Sequence, residues 1–252
     1  MIVETMRDLL RRTLRALLGK QIYRDLRARY ACLRNLGWAY HPIWGHFNVP
    51  GALPKEEAVA LFDAANGLAA EAPVLVEIGS WLGKSAIVLS QAIRNKQGIL
   101  FCIDPFNADG DPESVGRYRR ARSTMSRSVL DQFTHNIRSW GSYEHVRVLQ
   151  GYSHQLSAEW SRSIDLLYID GNHSYECARR DFIEWSPFIA PSGILVMHDV
   201  SFDPTFIHQG PARVVKELIL GDPRWVHPRF VGFMFFACKA IDESGDGDRS
   251  DR

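Results

Sequence analysis

Cysteine is scarce in this 252-residue chain: Cys32, Cys102, Cys177 and Cys238 lie far apart, and no two form a C-x-x-C pair. Such spacing argues against a zinc ribbon or a disulfide framework and fits reduced thiols in a cytoplasmic protein. Net charge is also lacking. Thirty Lys and Arg against 29 Asp and Glu leave +1, too little for the bulk attraction that nucleic-acid partners require. No apolar run approaches membrane-spanning length, and the N-terminus has no uninterrupted apolar region of the signal-peptide kind, so a soluble, cytoplasmic chain is expected. There is no internal repeat. No Gly-x-Ser-x-Gly nucleophile elbow occurs, which disfavours covalent acyl chemistry.

What is present is concentrated in residues 74–104. An apolar strand near 74–78 runs into a loop with Gly79 and Gly83, a helix follows from about Ser85, and a second apolar strand near 99–103 ends on Asp104. Glycine lets the chain turn tightly after a strand and lets a ligand approach main-chain N–H groups that a Cβ would shield. An acid ending the next strand can accept hydrogen bonds from both ribose hydroxyls, so a bound adenosine is expected. Dinucleotide loops carry a third glycine where the pyrophosphate approaches; here Ser80, Trp81 and Leu82 stand between the two glycines, which disfavours NAD or FAD.

Apolar strands near 74–78, 99–103, 146–149, 165–169 and 193–198 alternate with helical stretches, which predicts an α/β fold with a mainly parallel sheet and helices on both faces. Residues 41–54, rich in Pro, Gly and aromatics, read as an ordered loop entering a helix at about Lys55. Arg117, Arg119, Arg120, Arg122 and Arg127 cluster in the long stretch before Val146, as a solvated helix face or as a grip on an anionic ligand. Residues 1–40 carry nine Lys and Arg against Glu4, Asp8 and Asp25, with Leu10, Leu14, Leu17 and Leu18 on a helical period. This predicts a basic amphipathic helix followed by a second helix. Its apolar face packs on the core, on another subunit or on anionic lipid. The expected division is a helical extension over 1–50, one main domain over 51–240 and a disordered polar tail over 241–252.

In a parallel sheet ligands bind at the carboxyl ends of the strands, and those ends here carry Glu77, Asp104, Asp170 and the pair His198 and Asp199. Glu77 preceding Gly79 and Gly83 resembles the first motif of class I S-adenosylmethionine-dependent methyltransferases. The resemblance extends through Ile-Asp-Leu-Leu-Tyr-Ile-Asp-Gly-Asn-His (164–173) and Pro-Ser-Gly-Ile-Leu-Val-Met-His-Asp-Val (191–200). Together these are similar to the branch holding sugar and macrolide O-methyltransferases and cephalosporin-hydroxylase-like proteins. That likeness, over roughly residues 50–240, implies a Rossmann-like, seven-stranded sheet, completed by segments around Trp225 and over 231–238, with an antiparallel C-terminal strand.

The cofactor implied is S-adenosyl-L-methionine. Its expected contacts are Glu77, Gly79, Ser80, Gly83 and Ser85 from the first loop, then Asp104 and Asp170. Gly151, Tyr152 and Ser153, after the strand near 146–149, lie where relatives contact the adenine ring. Asp170 and His173 are the candidate catalytic residues: imidazole titrates close enough to neutrality to take a hydroxyl proton, and in metal-dependent relatives the position three after the metal-binding aspartate carries the base.

Asp170 and Asp199 are hard oxygen ligands suited to Mg²⁺. His198 completes the expected metal set and departs from the acid or amide found in relatives, favouring Mn²⁺ or a softer ion. A role for His198 behind the ligands, or a site without metal, stays open. Phe202, Phe206 and His208 lie in an aromatic loop, in the segment that in this fold often shapes the acceptor pocket; packing of the phenylalanines on the core is the alternative expectation. The expected reaction is methyl transfer to a hydroxyl of a sugar, glycolipid or natural-product glycoside, by a homo-oligomer, with a dimer expected. A nicotinamide-dependent oxidoreductase and a non-catalytic binding module are the competing expectations.

Overall fold

The structure is a computed structural model and describes residues 2–241. The expected tail beyond residue 241 lies outside the described residues. Two helices, α1 (Ile2–Leu18) and α2 (Lys20–Leu36), lead through turns of 3₁₀ helix over Trp38–Asn48 into α3 (Lys55–Asn66). The core follows as β1 (Val74–Ile78), α4 (Lys84–Ala92), β2 (Ile99–Asp104), α5 (Val115–Ser123), α6 (Val129–Trp140), β3 (Val146–Gln150), α7 (Ser153–Leu156) and β4 (Ile164–Ile169). Then come α8 (Tyr175–Trp185), β5 (Ile189–Met197), α9 (Gln209–Val214) and the strands β6 (Trp225–Val231) and β7 (Met234–Lys239).

The seven strands form one sheet in the order β3-β2-β1-β4-β5-β7-β6. β1 to β5 pair in parallel; β7 runs antiparallel to β5, and β6 antiparallel to β7. β7 alone is therefore reversed. Because helices cover both faces, the central strands are apolar nearly throughout, as a two-sided parallel sheet requires. Leu75, Leu100 and Tyr168 pack with Ile87 and Phe133 on one face, and Val76, Leu167 and Leu195 with Phe182 and Trp185 on the other. Ser128 and Ser174 cap α6 and α8, each hydroxyl accepting a backbone N–H three residues on, from Asp131 and Cys177.

Two local readings change. Residues 41–54 are more ordered than a loop: the 3₁₀ turns carry buried Ile43, Gly45 and His46, and Lys84 Nζ donates to the carbonyls of His46 (3.1 Å) and Val49 (2.9 Å) at their end. β5 begins at Ile189 rather than 193. Its first residues pass a register shift, with Ser192 at φ 63°, so their Pro-Ser-Gly sequence reads locally as a turn. α5 buries none of its residues, so for most of the arginine cluster the expected solvated face holds. α2 packs inward through Ala28 and Cys32, whereas Leu9, Leu17, Ile22 and Leu26 are exposed. Among the described residues no helix is long and apolar enough to cross a membrane.

Candidate active site

Strand order reverses at β1, whose neighbours are β2 and β4, and the crevice at such a switch point is where parallel sheets hold ligands. The turn after β1 enters it under tight constraint. Gly79 sits at φ 91°, and a Cβ there would lie 2.1 Å from the carbonyl oxygen of Asp170, so only glycine lets β1 pass the tip of β4 this closely. Trp81 (φ 45°), Phe106 (φ 53°), Ala108 (φ 61°) and Asp199 (φ 54°) also adopt left-handed backbone around the same crevice. Such conformations are costly for residues with side chains and gather at functional sites.

Two cavities flank this turn. The first is lined by Gly79, Asp104, Gly151, Tyr152, Ser153 and Asp181, among others. Asp104 Oδ2 accepts the N–H of Trp81 (2.8 Å) and its Oδ1 that of Phe106 (2.5 Å); burial nevertheless raises its pKa. The Ser153 hydroxyl donates to Asp181 Oδ1, and burial pushes Asp181 up to about 6. The second cavity is lined by Ser80, Ser85, Lys84, Arg117, Tyr168, His173, His198, Asp199 and His208. Gly79, Trp81, Tyr118 and Asp170 border both, and the rings of Trp81 and Tyr118 lean together at 4.8 Å.

Of the residues expected to touch a cofactor, Gly79, Asp104, Gly151, Tyr152, Ser153 and Asp170 line the first cavity. Ser80 and Ser85 line only the second. Glu77 and Gly83 line neither. Glu77 is fully buried beneath the turn, accepts the Ser80 hydroxyl (2.6 Å) and is pushed by burial up to about 7. Gly83 (φ 84°) starts α4 against Phe133 and Ile137.

The second cavity is lined by Asp170, His173, His198 and Asp199 of a charged cluster whose Asp111 lines the first. His173 Nδ1–H donates to Asp111 Oδ2 (2.8 Å). Its Nε2 lies 2.9 Å from Asp199 Oδ2 and 3.8 Å from Asp170 Oδ1, yet is buried without a well-directed hydrogen bond. Burial disfavours the imidazolium, but contacts with Asp111, Asp170 and Asp199 outweigh it and push His173 up to about 11. Burial works against charge on Asp111 and Asp199 too, and the imidazoles beside them still hold both carboxyls well below the usual range.

His198 has a different arrangement. Its Nε2 donates to Glu57 Oε2 (2.9 Å) and its Nδ1 to Asp170 Oδ1 (3.1 Å), so the ring bridges two acids as an imidazolium. Glu57 is itself clasped by the β6–β7 turn: the Phe233 N–H donates to Oε1 (2.7 Å), and a Cβ at Gly232 would lie 2.3 Å from that oxygen. Tyr168 donates its hydroxyl to Asp170 Oδ2 (3.0 Å).

Asp170, His173 and Asp199 bring one ligand atom each within 4.8 Å of one another; His198 is not in that set. The cluster of Glu57, Asp111, Asp170 and Asp199 carries four formal negative charges against two imidazolium rings. Two carboxylates and a deficit of two positive charges fit a divalent cation. Glu57, Asp111 and Asp181 were not singled out in the sequence. Only Asp111 had a local signal, the acidic turn Asp109-Gly-Asp-Pro after β2.

Comparison with known proteins agrees with this architecture. A family model described as a methyltransferase domain matches residues 76–200. Among solved structures the chain is similar to the O-methyltransferase NovP, at 16% identity over 74% of this chain and 80% of that one, with a TM-score of 0.57. It is similar to TomG from Streptomyces achromogenes, an O-methyltransferase involved in tomaymycin synthesis and solved with S-adenosylmethionine, at 16% identity over 79% and 88% and a TM-score of 0.56. An O-methyltransferase from Bacillus cereus in complex with S-adenosylhomocysteine shares 18% identity over 83% and 96%, with a TM-score of 0.55. The chain thus carries a match to a methyltransferase domain over residues 76–200, set in the fold that it shares with these O-methyltransferases.

Proposed function

We propose that the protein transfers a methyl group from S-adenosylmethionine to a hydroxyl of a sugar, glycolipid or natural-product glycoside, with a divalent cation, Mg²⁺ or Mn²⁺, assisting. The observation that carries this reading is the shared wall: the crevice beside Asp104 and a buried acid–imidazole cluster meet at Gly79, Trp81, Tyr118 and Asp170. Methyl transfer requires that adjacency, because nucleophile, carbon and sulfur must align. The similar solved structures are O-methyltransferases, in keeping with oxygen as the acceptor atom. The methyltransferase domain leaves the nicotinamide alternative without support.

S-adenosylmethionine supplies an electrophilic methyl on a positive sulfur, and the chain supplies position and proton removal. Asp104 accepts the ribose hydroxyls on lone pairs left free by its two backbone donors. Asp170 stands at the wall between the cavities and would place negative charge beside a cationic sulfur. His173 is the base. Asp111 fixes its tautomer, holding the proton on Nδ1 and turning Nε2 toward the second cavity. For Nε2 to accept the hydroxyl proton, the field of Asp170 and Asp199 that keeps the ring protonated must be offset. A divalent cation held by those two carboxylates would supply that offset and polarise the acceptor hydroxyl. His173 Nε2 would take the hydroxyl proton as the oxygen bonds the methyl carbon, the C–S electron pair staying with the departing sulfur.

Incubation with S-adenosylmethionine and a panel of glycosides, with and without chelator, tests the proposal by mass spectrometry. A mass gain of one methyl on a hydroxylated glycoside, lost with chelator and restored by Mg²⁺ or Mn²⁺, is expected. Methyl transfer confined to nitrogen or sulfur acceptors would overturn it.

A further inference from the structure

The elbow between α1 and α2 encloses a cleft of about 420 Å³, lined by Arg15, Lys20, Tyr23, Arg24, Arg27 and Asn48 among others, with no carboxylate in its walls. Among the described ion pairs none engages these four cations. The one acid on α2, Asp25, accepts from the amides of Gln21 (3.0 Å) and Asn48 (2.9 Å) instead. Arg24 and Arg27 lie over the rings of Trp140 (5.4 Å) and Tyr23 (5.9 Å), contacts that hold a guanidinium in place without neutralising it.

Beside this cleft the hairpin presents apolar surface to the outside. Ile22, Leu26 and Tyr30 recur every fourth residue along α2 and are 56%, 50% and 65% exposed, while Ala28 and Cys32 face the core. Leu17 is 77% exposed just before the elbow. Charge is divided just as unevenly: the first 40 residues hold nine Lys and Arg against three acids, which leaves the remainder net negative. A second copy packed hairpin to hairpin would set like charge against like. A nucleic acid would leave the apolar stripe in water.

We infer that the α1–α2 hairpin docks on an anionic phospholipid bilayer, with headgroup phosphates in the Arg15–Lys20–Arg24–Arg27 cleft and Leu17, Ile22, Leu26 and Tyr30 at the acyl boundary. This inference is independent of which acceptor is methylated. Its test is flotation of the full chain with phosphatidylcholine vesicles and with vesicles containing phosphatidylglycerol. Binding to the second only is expected, weakening as salt rises.

In the triple variant Arg15→Gln, Arg24→Gln, Arg27→Gln, partitioning falls roughly a hundredfold, with melting temperature and S-adenosylhomocysteine binding unchanged. Ile22→Ser with Leu26→Ser lowers binding without removing its dependence on anionic lipid. Competition by inorganic phosphate alone, at concentrations that leave ionic strength unchanged, reads occupancy of the cleft by free anion; if it abolishes vesicle binding of the apolar variant first, the cleft is the headgroup site. Equal binding to both vesicle types, no binding to either, or a concentration-dependent dimer abolished by Ile22→Ser with Leu26→Ser would each overturn the inference.

Discussion

Asp104, in the first cavity, is held by backbone N–H groups of Trp81 and Phe106, whereas Asp170, on the shared wall, and Asp199, in the second, are met by imidazoles tied from far along the chain. His173 is fixed by Asp111, 62 residues away, and His198 by Glu57, 141 residues away. The first arrangement suits recognition, since backbone donors set a carboxylate's direction and leave lone pairs for a ligand. The second stores uncompensated negative charge in a buried place, which is costly for stability and useful for holding a cation or taking a proton. The two sides of one turn thus divide the work, and each can be disabled alone.

His173→Ala breaks the charged side most deeply. Turnover is expected to fall by about two to four orders of magnitude, while calorimetric affinity for S-adenosylhomocysteine stays near that of the wild type. Glu57→Gln has its main effect on folding, because it removes one partner of the buried His198 and loosens the β6–β7 turn. Urea denaturation should register a loss of about 3–5 kcal/mol. On the first side, Asp104→Ala leaves the Trp81 and Phe106 donors without their partner, at a cost of about 1–3 kcal/mol each if they stay buried. Weaker S-adenosylhomocysteine binding and a lower melting temperature are expected together.

The smallest effect belongs to Glu77→Gln, read from the pH dependence of stability. Burial raises the Glu77 pKa from 4.5 to about 7, so the folded state holds this proton more tightly than the unfolded state. The favourable contribution is complete below pH 4.5 and is lost as pH rises through 7. Thermal melts of the wild type should therefore fall across that window relative to those of Glu77→Gln, by a few kcal/mol at most. Parallel melting curves from pH 4 to pH 8, roughly the span of the shift, would remove the buried charge from the account.

This division also explains what could be read in the sequence. The apolar strands, the glycine turn and the acids at the strand tips are local patterns, and parallel-sheet physics assigns them to one crevice. Gly79 and Asp104 were legible because turn and acid lie within a single strand–helix–strand unit. Glu57 looks like any first-turn acid of a helix until the β6–β7 turn closes over it, a contact no spacing rule encodes. His198 read as a metal ligand because it precedes Asp199; in the fold both its nitrogens already donate to acids. The 3₁₀ turns over Trp38–Asn48 were missed because Pro and Gly imply a loop, while the order comes from burial of Ile43 and His46 and from Lys84.

The claim that one turn separates donor recognition from hydroxyl activation is tested most directly by calorimetric titration of S-adenosylhomocysteine into the wild type, Asp104→Ala and Asp199→Asn. Tight binding to the wild type, weakened about tenfold or more in Asp104→Ala and little changed in Asp199→Asn, is the expected result. No heat with the folded wild type, or a loss of affinity in Asp199→Asn that matches Asp104→Ala, would contradict it.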